Sequence, residues 1–432
     1  MRDCVIIGAG PAGTAAATVL ARAGRDVLAF ESARFPRFHV GESMLPAAVD
    51  LWKRLGLWER LEGTSFARKG GADFLIADGS KEVKFWFARY LPANLHRAIQ
   101  VDRAEFDRIA MEHARSAGAE IREGVRVTEV EFRGREGVEV AWRDEGGRTG
   151  TERARVVLDC SGMRSFLGRK LGMRKPVPGM TKVSVFAHYE NVRLPEAERA
   201  GNTEIVAAED AWYWLIPMTI EESGRNTASV GVVVERSVKD GFRGTALEMM
   251  ERLFEASPVV RGRLAGARRL TEAHVEADYS FRCDPGYGDG FALIGDAAAF
   301  LDPIFSTGFY LSQRHGEQAG QAVVKALGRG GAVRAADLAA PARTLFQAVD
   351  TYTRFVRAFY TQAWYDIFLS DQDSPRIRKA VVRVLAGDVA GMNLWLRMFF
   401  ALLWAQKRWG IVPGVPRPRV TGCLAPAAAE TA

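Results

Sequence analysis

Three glycines near the N-terminus have the spacing needed to bind the phosphates of a dinucleotide. Gly8, Gly10 and Gly13 form a G-x-G-x-x-G within the sequence GAGPAG. In this pattern the first glycine permits a tight turn, the second lets backbone approach a pyrophosphate, and the third allows close helix–strand packing. A helix that begins here directs unpaired N–H groups at the phosphates. Glu31, further along, is placed where an acid binds ribose hydroxyls.

The segments around these glycines have the patterns of the elements that the motif requires. Residues 3–8 have the apolar run of a buried parallel strand, and residues 26–31 have that of a second strand. Between them, residues 12–23 carry small and apolar side chains at helical spacing. This order predicts a βαβ unit, and the motif within it predicts that the chain binds a dinucleotide.

Two later segments indicate which dinucleotide is bound. Residues 158–164 are LDCSGMR, and residues 291–304 are FALIGDAAAFLDPI. In the second segment an apolar strand ends at Gly295 and Asp296, and small residues then open a helix. Together with the first motif, these segments resemble FAD-dependent monooxygenases and their relatives. The resemblance implies that FAD is the cofactor and that Asp296 binds its ribitol and pyrophosphate.

Four further segments are similar to one branch of that superfamily, the flavin-dependent halogenases. They are FPRFHVGESMLP (35–46), RKGGA (68–72), WYWLIP (212–217) and FLDPIFSTG (300–308). The resemblance implies an α/β fold in which a Rossmann-like FAD-binding domain is interleaved with a β-rich substrate domain and followed by a helical C-terminal region. It assigns catalytic roles to Lys69, Trp212 and Trp214.

The first motif and the resemblance together predict which residues bind the cofactor and the halide. The predicted cofactor-binding residues are Gly8, Gly10, Pro11, Ala12, Gly13, Glu31, Ser32, Gly41, Glu42, Ser43, Asp159, Gly295, Asp296, Pro303, Thr307 and Gly308. The predicted halide-binding residues are Ser306, Thr307 and Gly308. A turn into a helix supplies backbone N–H donors, an arrangement that binds anions.

The resemblance implies a reaction in which halide is oxidised. A reduced flavin reacts with O₂ to give a peroxide, halide attacks its distal oxygen, and the resulting hypohalous acid halogenates an electron-rich aromatic ring. Lys69 would hold the oxidant by a hydrogen bond or form a haloamine with it. Trp212 and Trp214 alternate along a strand and therefore face one side, where they line the passage, pack a core, or do both.

The same scaffold also supports hydroxylation, and this is the alternative to halogenation. An FAD-dependent monooxygenase of this kind would transfer oxygen directly to an aromatic ring, such as a tryptophan side chain in a peptide or protein substrate during cofactor maturation. Tryptophan-specific halogenases carry a glutamate just before the Ser-Thr-Gly, whereas this chain has Phe305 there. An apolar residue at that position resembles the enzymes that act on phenols and pyrroles, often tethered to an acidic carrier protein.

The net charge of +7 comes from the C-terminal region. From Ser374 to the end the chain has nine basic and two acidic residues, so the rest of the chain contains equal numbers of basic and acidic residues. The excess is either a solvated helix surface or a docking surface for an acidic partner, such as a carrier that presents the substrate. Because no recognition motif accompanies the charge, we expect no nucleic-acid partner.

Composition and the remaining motifs exclude several other classes. Four cysteines without a CxxC pair are too few and too scattered for a disulfide scaffold or a zinc site, and we expect no metal. The N-terminus has no signal-peptide pattern, and the longest late apolar run is too short for a membrane span. We therefore expect a cytoplasmic enzyme. A second nucleotide motif is missing, so the flavin is reduced either by transiently bound NAD(P)H or by a separate flavin reductase.

Predicted domain boundaries follow from the positions of these segments. The FAD-binding domain is predicted to comprise residues 1–90, 150–175 and 275–335, the β-rich substrate domain residues 91–149 and 176–274, and the helical C-terminal region residues 336–432. Residues 102–118 have the pattern of an amphipathic helix with Asp102 as its N-cap. The C-terminal region contains too many aromatic residues for a solvated tail, which predicts that it folds back over the substrate entrance.

Overall fold

The computed structural model describes residues 1–277, 280–370, 374–388 and 391–424. Within these ranges the chain forms two eight-stranded sheets, two smaller sheets and fourteen α-helices. The predicted class, an α/β fold with a Rossmann-like FAD-binding domain and a helical C-terminal region, is confirmed. The end of the predicted C-terminal region, residues 425–432, lies outside the described residues.

The strands are short and are spread over the first three quarters of the chain. The first ten are β1 (Arg2–Ile7), β2 (Val27–Glu31), β3 (Arg68–Lys69), β4 (Gly71–Ile76), β5 (Glu82–Trp86), β6 (Ala98–Ile99), β7 (Glu120–Glu123), β8 (Val125–Phe132), β9 (Val138–Asp144) and β10 (Thr149–Asp159). The others are β11 (Arg174–Pro176), β12 (Lys182–Glu190), β13 (Thr203–Ala207), β14 (Ala211–Ile220), β15 (Asn226–Glu235), β16 (Arg268–Arg269), β17 (His274–Ala277), β18 (Phe281–Cys283), β19 (Tyr287–Gly288), β20 (Phe291–Leu293) and β21 (Ala299–Phe300).

Nine of the described helices lie among the strands, and the last five follow one another without intervening strands. The helices are α1 (Pro11–Arg22), α2 (Pro46–Leu55), α3 (Trp58–Glu62), α4 (Phe87–Tyr90), α5 (Arg103–Ser116), α6 (Phe166–Lys170), α7 (Arg236–Gly241), α8 (Ala246–Glu255), α9 (Pro258–Leu264), α10 (Thr307–Gly328), α11 (Ala335–Phe359), α12 (Gln362–Phe368), α13 (Pro375–Leu385) and α14 (Leu394–Trp409). The predicted Asp102 cap of α5 is present, because its side chain accepts hydrogen bonds from the first turn.

The first sheet contains the predicted βαβ unit. Its strand order is β19-β20-β10-β1-β2-β7, and β9 and then β8 pair outward from β10. At the centre, β1 is parallel to both neighbours, with Val5 opposite Leu28 and Val157. Both faces of β1 are buried, which explains its unbroken apolar run. Helices α1 and α10 pack on one of these faces.

The second sheet presents two buried faces, one of which is turned toward the helical C-terminal region. Its order is β16-β12-β15-β14-β13-β4-β5, and β17 also pairs with β12. Along β14, Trp212 and Trp214 point into the core that contains the C-terminal aromatic side chains. Tyr213 and Leu215 point to the opposite face, against α8. The alternation that the sequence predicts for the two tryptophans is therefore present.

Two groups of strands join a different sheet from the one that the predicted domain boundaries imply. Strands β4 and β5, predicted as part of the FAD-binding domain, lie in the second sheet, where β4 is parallel to β13. Strands β7, β8 and β9, predicted as part of the substrate domain, extend the first sheet. In both cases at least one partner strand is distant in sequence. Local patterns identify such strands but do not identify the sheet that they join.

The C-terminal helices share a core with the second sheet. Phe355, Trp364 and Phe399 lie in the same apolar cluster as Trp212 and Trp214. Burial of these large rings holds the region against the catalytic core and excludes a detached, solvated segment. None of the helices in the described ranges is both long and apolar enough to cross a membrane.

We predict that Gly316 limits the approach of α10 to α1. A Cβ at Gly316 would lie 2.2 Å from the carbonyl oxygen of Ala12, so Gly316→Ala must separate the helices. The expected cost is about 1–3 kcal/mol of unfolding free energy, measured by chemical denaturation. The matched control is Gly328→Ala at the end of α10, where the nearest atom lies at 3.7 Å. The control should be neutral or slightly stabilising, and an equal loss in both variants would contradict the prediction.

Candidate active site

The turn between β1 and α1 lies so close to neighbouring backbone that two of its positions accept only glycine. Gly8 has a φ of +97°, and a Cβ there would lie 2.5 Å from the carbonyl oxygen of Cys160. A Cβ on Gly13 would lie 2.0 Å from the carbonyl oxygen of Gly8. At Gly10 a Cβ would meet only Arg37, at 3.5 Å, so this side of the turn is open to a ligand. These are the roles that the motif predicts.

Arg37 adds a cation beside this turn. Its Nη1 atom is buried and has no hydrogen-bond partner in the structure, and lies 3.4 Å from a carboxylate oxygen of Asp107. Helix α1 begins at Pro11, where the missing N–H of proline is not needed, and the following N–H groups point toward the same opening. A half-buried guanidinium that is ion-paired with Asp107 but makes no hydrogen bond through Nη1 could still approach a phosphate oxygen at this helix N-terminus.

The turn after β20 is built around Asp296. Gly295 has a φ of +61° and donates its N–H to Nδ1 of His315, at 3.0 Å. The Ser312 hydroxyl donates to Oδ1 of Asp296, at 2.9 Å. Burial raises the pKa of Asp296 to about 6 and lowers that of His315 to about 3, so His315 is a neutral acceptor that fixes the turn. A Cβ on Gly308 would lie 3.6 Å from Asp296 Oδ1, so these predicted residues are neighbours.

Three of the predicted cofactor-binding carboxylates already accept backbone hydrogen bonds: Glu31, Asp159 and Glu42. Glu31 accepts from the N–H of Ala9, at 2.9 Å, and thereby ties the glycine turn to the end of β2. Asp159 has no exposed surface, and its two oxygens accept the N–H groups of Ser161 and Leu167 at 3.0 and 2.7 Å. This geometry favours a structural role for Asp159, shaping the turn after β10, over direct contact with a nucleotide.

Lys69 lies in the interior and is held by the loop before α2. Its side chain is buried, and Nζ donates to the hydroxyl of Ser43 at 2.8 Å and to the carbonyl oxygen of Met44 at 3.3 Å. The Ser43 hydroxyl also pairs with that of Thr203, at 3.0 Å. Burial lowers the pKa of Lys69 to about 7, so the amine and ammonium forms are both populated near neutral pH. The predicted residues Lys69 and Ser43 are thus in direct contact.

The neighbouring Glu42 is paired with a histidine from the second sheet. Its Oε1 lies 3.1 Å from Nε2 of His188, and its Oε2 accepts the N–H of Gly41 at 2.9 Å. Burial alone would raise the pKa of Glu42, but the hydrogen bond and charge of His188, with the Gly41 N–H, outweigh it and hold the pKa below its ordinary value.

The predicted residue Ser32 follows Glu31 directly in the chain. Its hydroxyl lies 3.5 Å from the carboxylate of Glu31.

The turn before α10 has the geometry of an anion site at two of the three predicted positions. Ser306 has a φ of +54° and donates its own N–H to the carbonyl oxygen of Pro303, at 2.8 Å. Thr307 and Gly308 are the first two residues of α10, whose N–H groups have no intrahelical acceptor. Thr307 and Gly308 therefore keep N–H donors that an anion could use, whereas the N–H of Ser306 is engaged within the turn. Halide binding here stays a prediction.

The two tryptophans of β14 lie in the core beside this turn. Their ring centroids are 5.8 Å apart, and Trp214 donates its Nε1–H to the Ser229 hydroxyl at 3.1 Å. Trp212 donates its Nε1–H to the Tyr360 hydroxyl, at 3.0 Å. Among the described residues, the polar contacts of Lys69 are instead with the loop before α2. Core packing is thus present, and lining of the passage stays a prediction.

A hydrogen-bonded chain joins the turn before α10, which we call the anion turn, to the C-terminal region. The Tyr360 hydroxyl, just after α11, accepts from Trp212 and donates to Oδ2 of Asp302 at 2.6 Å. Asp302 also accepts the N–H of Ile304 at 3.1 Å, which shapes the turn ahead of Ser306. Burial raises the pKa of Asp302 to about 6, opposed by the Tyr360 hydrogen bond. Side chains from three segments that are distant in sequence, Trp212, Asp302 and Tyr360, thus position this turn.

Aromatic rings surround Phe305, the residue just before Ser306. Its ring lies 5.9 Å from that of Phe359, 5.7 Å from Trp364 and 6.3 Å from Phe355, by centroid. The residues of the site therefore fit FAD and an aromatic substrate. They provide a turn that a Cβ would fill, an arginine whose Nη1 makes no hydrogen bond, and aromatic rings beside the turn before α10.

Comparison with known proteins agrees with this geometry. The family described as "FAD binding domain" matches residues 1–338. The chain is 30% identical over 419 residues to the 1H-pyrrole-2-carbonyl-(peptidyl-carrier protein) chlorinase of Pseudomonas fluorescens, covering 90% of this chain and 89% of that protein. It is 30% identical over 413 residues to the corresponding brominase of Pseudoalteromonas luteoviolacea, covering 91% and 93%. The structure of a flavin-dependent brominase, Bmp2, superposes with a TM-score of 0.81 at 27% identity, covering 94% and 99%.

Fold, site and comparisons together define an FAD-dependent oxidoreductase. Within that class, the chain belongs to the flavin-dependent halogenase family. FAD, predicted from the three nucleotide-binding segments, is the cofactor.

Several residues of the site were not identified from the sequence. Arg37 lies inside the quoted segment FPRFHVGESMLP, and a cation there could have been noticed as a phosphate ligand. Ser312, His188, Thr203 and Tyr360 carry no local signal, because each acts through a partner that is distant in sequence.

We predict that Lys69→Met stabilises the protein more at low pH than at high pH. Because burial lowers the folded-state pKa of Lys69 from 10.5 to about 7, the unfolded chain binds more protons between these values. Stability of the wild type therefore rises as pH increases through this window, by up to about 1.4 kcal/mol per unit. The advantage of Lys69→Met should shrink accordingly in denaturation series from pH 6.5 to 10. Exposed Lys53→Met is the control, and a parallel pH profile for both variants would refute the burial argument.

We predict that Tyr360→Phe disrupts the anion turn in a pH-dependent way. The change leaves Trp212 and Asp302 without this hydroxyl, at a cost of about 1–3 kcal/mol. It also raises the pKa of Asp302 further. Since a raised folded-state pKa of an acid lowers stability as pH increases through it, the excess cost should be larger at pH 8 than at pH 5.

The matched control for Tyr360 lies on the opposite face of β14. Tyr213→Phe removes a buried hydroxyl that donates to the carbonyl oxygen of Leu253 at 2.9 Å. Its cost should be similar in size and the same at both pH values in thermal or chemical denaturation. Equal pH dependence in the two variants would show that Asp302 is not coupled to Tyr360.

Proposed function

We propose that this enzyme halogenates a pyrrole ring that is covalently presented by a peptidyl-carrier protein. The observation that carries this proposal is the cluster of aromatic rings around Phe305, because a pyrrole ring needs an apolar pocket and the residue just before Ser306 is a phenylalanine rather than an acid. Relatives similar over nine-tenths of the chain are named as a chlorinase and a brominase of pyrrole-2-carbonyl carrier protein. These names support the same substrate class here.

The chain's own residues divide the work of this reaction. The turn of Gly8 and Gly10, with Arg37 and Asp296, would hold the nucleotide and orient its ring system toward the core. When bound and reduced, FAD supplies the two-electron oxidation by O₂ that converts halide into an electrophile. The N–H groups of Thr307 and Gly308 would bind the halide in a place from which bulk water is largely excluded.

Lys69 would act on the oxidised halogen after it leaves the anion turn. Because its pKa is about 7, the ammonium can donate a hydrogen bond to the oxygen of hypohalous acid and polarise the halogen toward the ring. The neutral amine can instead attack the halogen of hypohalous acid, forming an N–halogen bond as the oxygen–halogen bond breaks; the hydroxyl takes up an amine proton and leaves as water. In both routes the contacts with Ser43 and Met44 fix the position of Nζ.

The source of electrons and the compartment form part of the proposal. The sequence carries one glycine-rich nucleotide motif, which FAD occupies, so we infer that a separate flavin reductase supplies reduced flavin. We also infer a cytoplasmic location. It suits the cysteines of the described ranges, Cys4, Cys160, Cys283 and Cys423, which are all unpaired.

The test uses FAD-loaded enzyme, a flavin reductase with NADH, and either chloride or bromide. We expect a halogenated ring on pyrrole-2-carbonyl carrier protein, read by product mass, and little product from free tryptophan. Lys69→Met should retain FAD but lose product by at least about 100-fold, whereas Lys53→Met should match the wild type. A product that gains oxygen regardless of halide would instead support the monooxygenase alternative, and preferential halogenation of free tryptophan would refute the carrier substrate.

A further inference from the structure

One helix concentrates the apolar side chains that the protein leaves in contact with solvent. Of the eleven large apolar side chains exposed in the described ranges, five lie on α14 or just after it: Leu394, Met398, Trp404, Trp409 and Ile411. Trp404 is 60% exposed and Trp409 64%, and their rings meet edge to face at 4.9 Å. Clustered exposure of this kind marks an interaction surface.

The same surface is positively charged and has no acidic residue of its own. Arg397, Lys407 and Arg408 are exposed on α14, and residues 391–424 contain no aspartate or glutamate. Arg383 pairs with Asp388 and Arg419 with Glu209, so these two cations are neutralised. Within the described ranges, Arg397, Lys407 and Arg408 of α14 form no ion pair with a carboxylate, and exposed Lys379 of α13 forms none either. The positive charge that lacks an acidic partner therefore includes the whole exposed set on α14.

The inner side of α14 is fixed, so the outer side is a rigid surface. Leu396, Phe399 and Leu403 are buried in the core. Gln406 donates to a carboxylate oxygen of Asp366 in α12, at 2.8 Å, and accepts the N–H of Val412 at 2.9 Å. A surface presented on a well-packed helix loses little conformational entropy when a partner binds.

The helix also lies close to the cluster of aromatic rings around Phe305. The ring of Phe400 is 5.2 Å from that of Phe355, and Phe355 is 6.3 Å from Phe305 by centroid. Two ring contacts thus lead from α14 to the residue beside the anion turn. A partner bound on the outside of α14 would therefore lie on a helix whose inner side is linked by two ring contacts to Phe305.

We propose that the outer face of α14 is the docking surface for the acidic protein that carries the substrate, an inference that rests on the proposed function. Arg397, Trp404 and Arg408 follow one another at helical spacing and share one face. Tryptophan, methionine and arginine are the residues enriched at protein interfaces. A membrane-binding helix would instead separate an apolar face from a cationic one. Here the arginines lie among the apolar side chains, which favours a protein partner.

The test measures binding and turnover separately, with FAD-loaded enzyme and labelled pyrrole-2-carbonyl carrier protein as the probe. Arg397→Glu/Arg408→Glu should weaken carrier binding at least about tenfold at low salt, with the difference shrinking as salt screens the charges. Trp404→Ala should weaken binding about tenfold at every salt concentration. Arg126→Glu/Arg135→Glu, an equal change of charge on the β8–β9 hairpin, should bind as the wild type does. Turnover of a small neutral phenol or pyrrole should not change in any of them.

The outcomes separate this inference from the proposed function. If the wild type halogenates the carrier and both α14 variants bind it equally well, the docking surface is wrong and the proposed function stands. If the wild type binds the carrier through α14 but gives no halogenated product, the docking surface is supported and the proposed halogenation is refuted. The last experiment measures binding of the wild type and the variants to vesicles of phosphatidylglycerol and phosphatidylcholine. Loss of vesicle binding in the α14 variants, with carrier binding unchanged, would overturn the proposal in favour of a membrane surface.

Discussion

Close contact between backbone segments is the constraint on which the rest of this structure depends. A side chain at Gly8 would strike the strand end at Cys160, and one at Gly316 would strike the first turn of α1. Because these approaches are so short, β1, α1, β10 and α10 have one relative arrangement. That arrangement brings the N-termini of α1 and α10 to the same side of the first sheet, and each supplies unpaired N–H groups there.

Burial then tunes three charged groups of the candidate site. Lys69, Asp296 and Asp302 all have pKa values shifted toward the neutral form by loss of water, and each forms a hydrogen bond with another segment. Partial desolvation costs stability, but it leaves groups that can exchange protons near neutral pH. The site therefore combines fixed backbone donors for anions with a lysine whose charge is adjustable.

The C-terminal helices complete the site from one side and present a surface on the other. Their inner rings contact Phe305, and Tyr360 reaches the turn that precedes α10. Their outer face, on α14, carries exposed tryptophans and unneutralised cations. One compact layer of aromatic side chains thus separates Phe305 from the surface that we propose binds the carrier.

The sequence by itself determined the cofactor and the family, and it predicted the residues that bind the cofactor, because glycine turns and helix starts are encoded over a few neighbouring residues. The three glycines of the first motif and the Gly295–Asp296 turn have the conformations that their motifs require. Only the tertiary structure decided that β4 joins the second sheet, and that Asp159 is enclosed by backbone amides. It also decided which cations of the C-terminal region stay free and that Tyr360 holds the anion turn. These features depend on pairing between segments far apart in sequence, and such pairing is set by the packing of the whole core rather than by any local pattern.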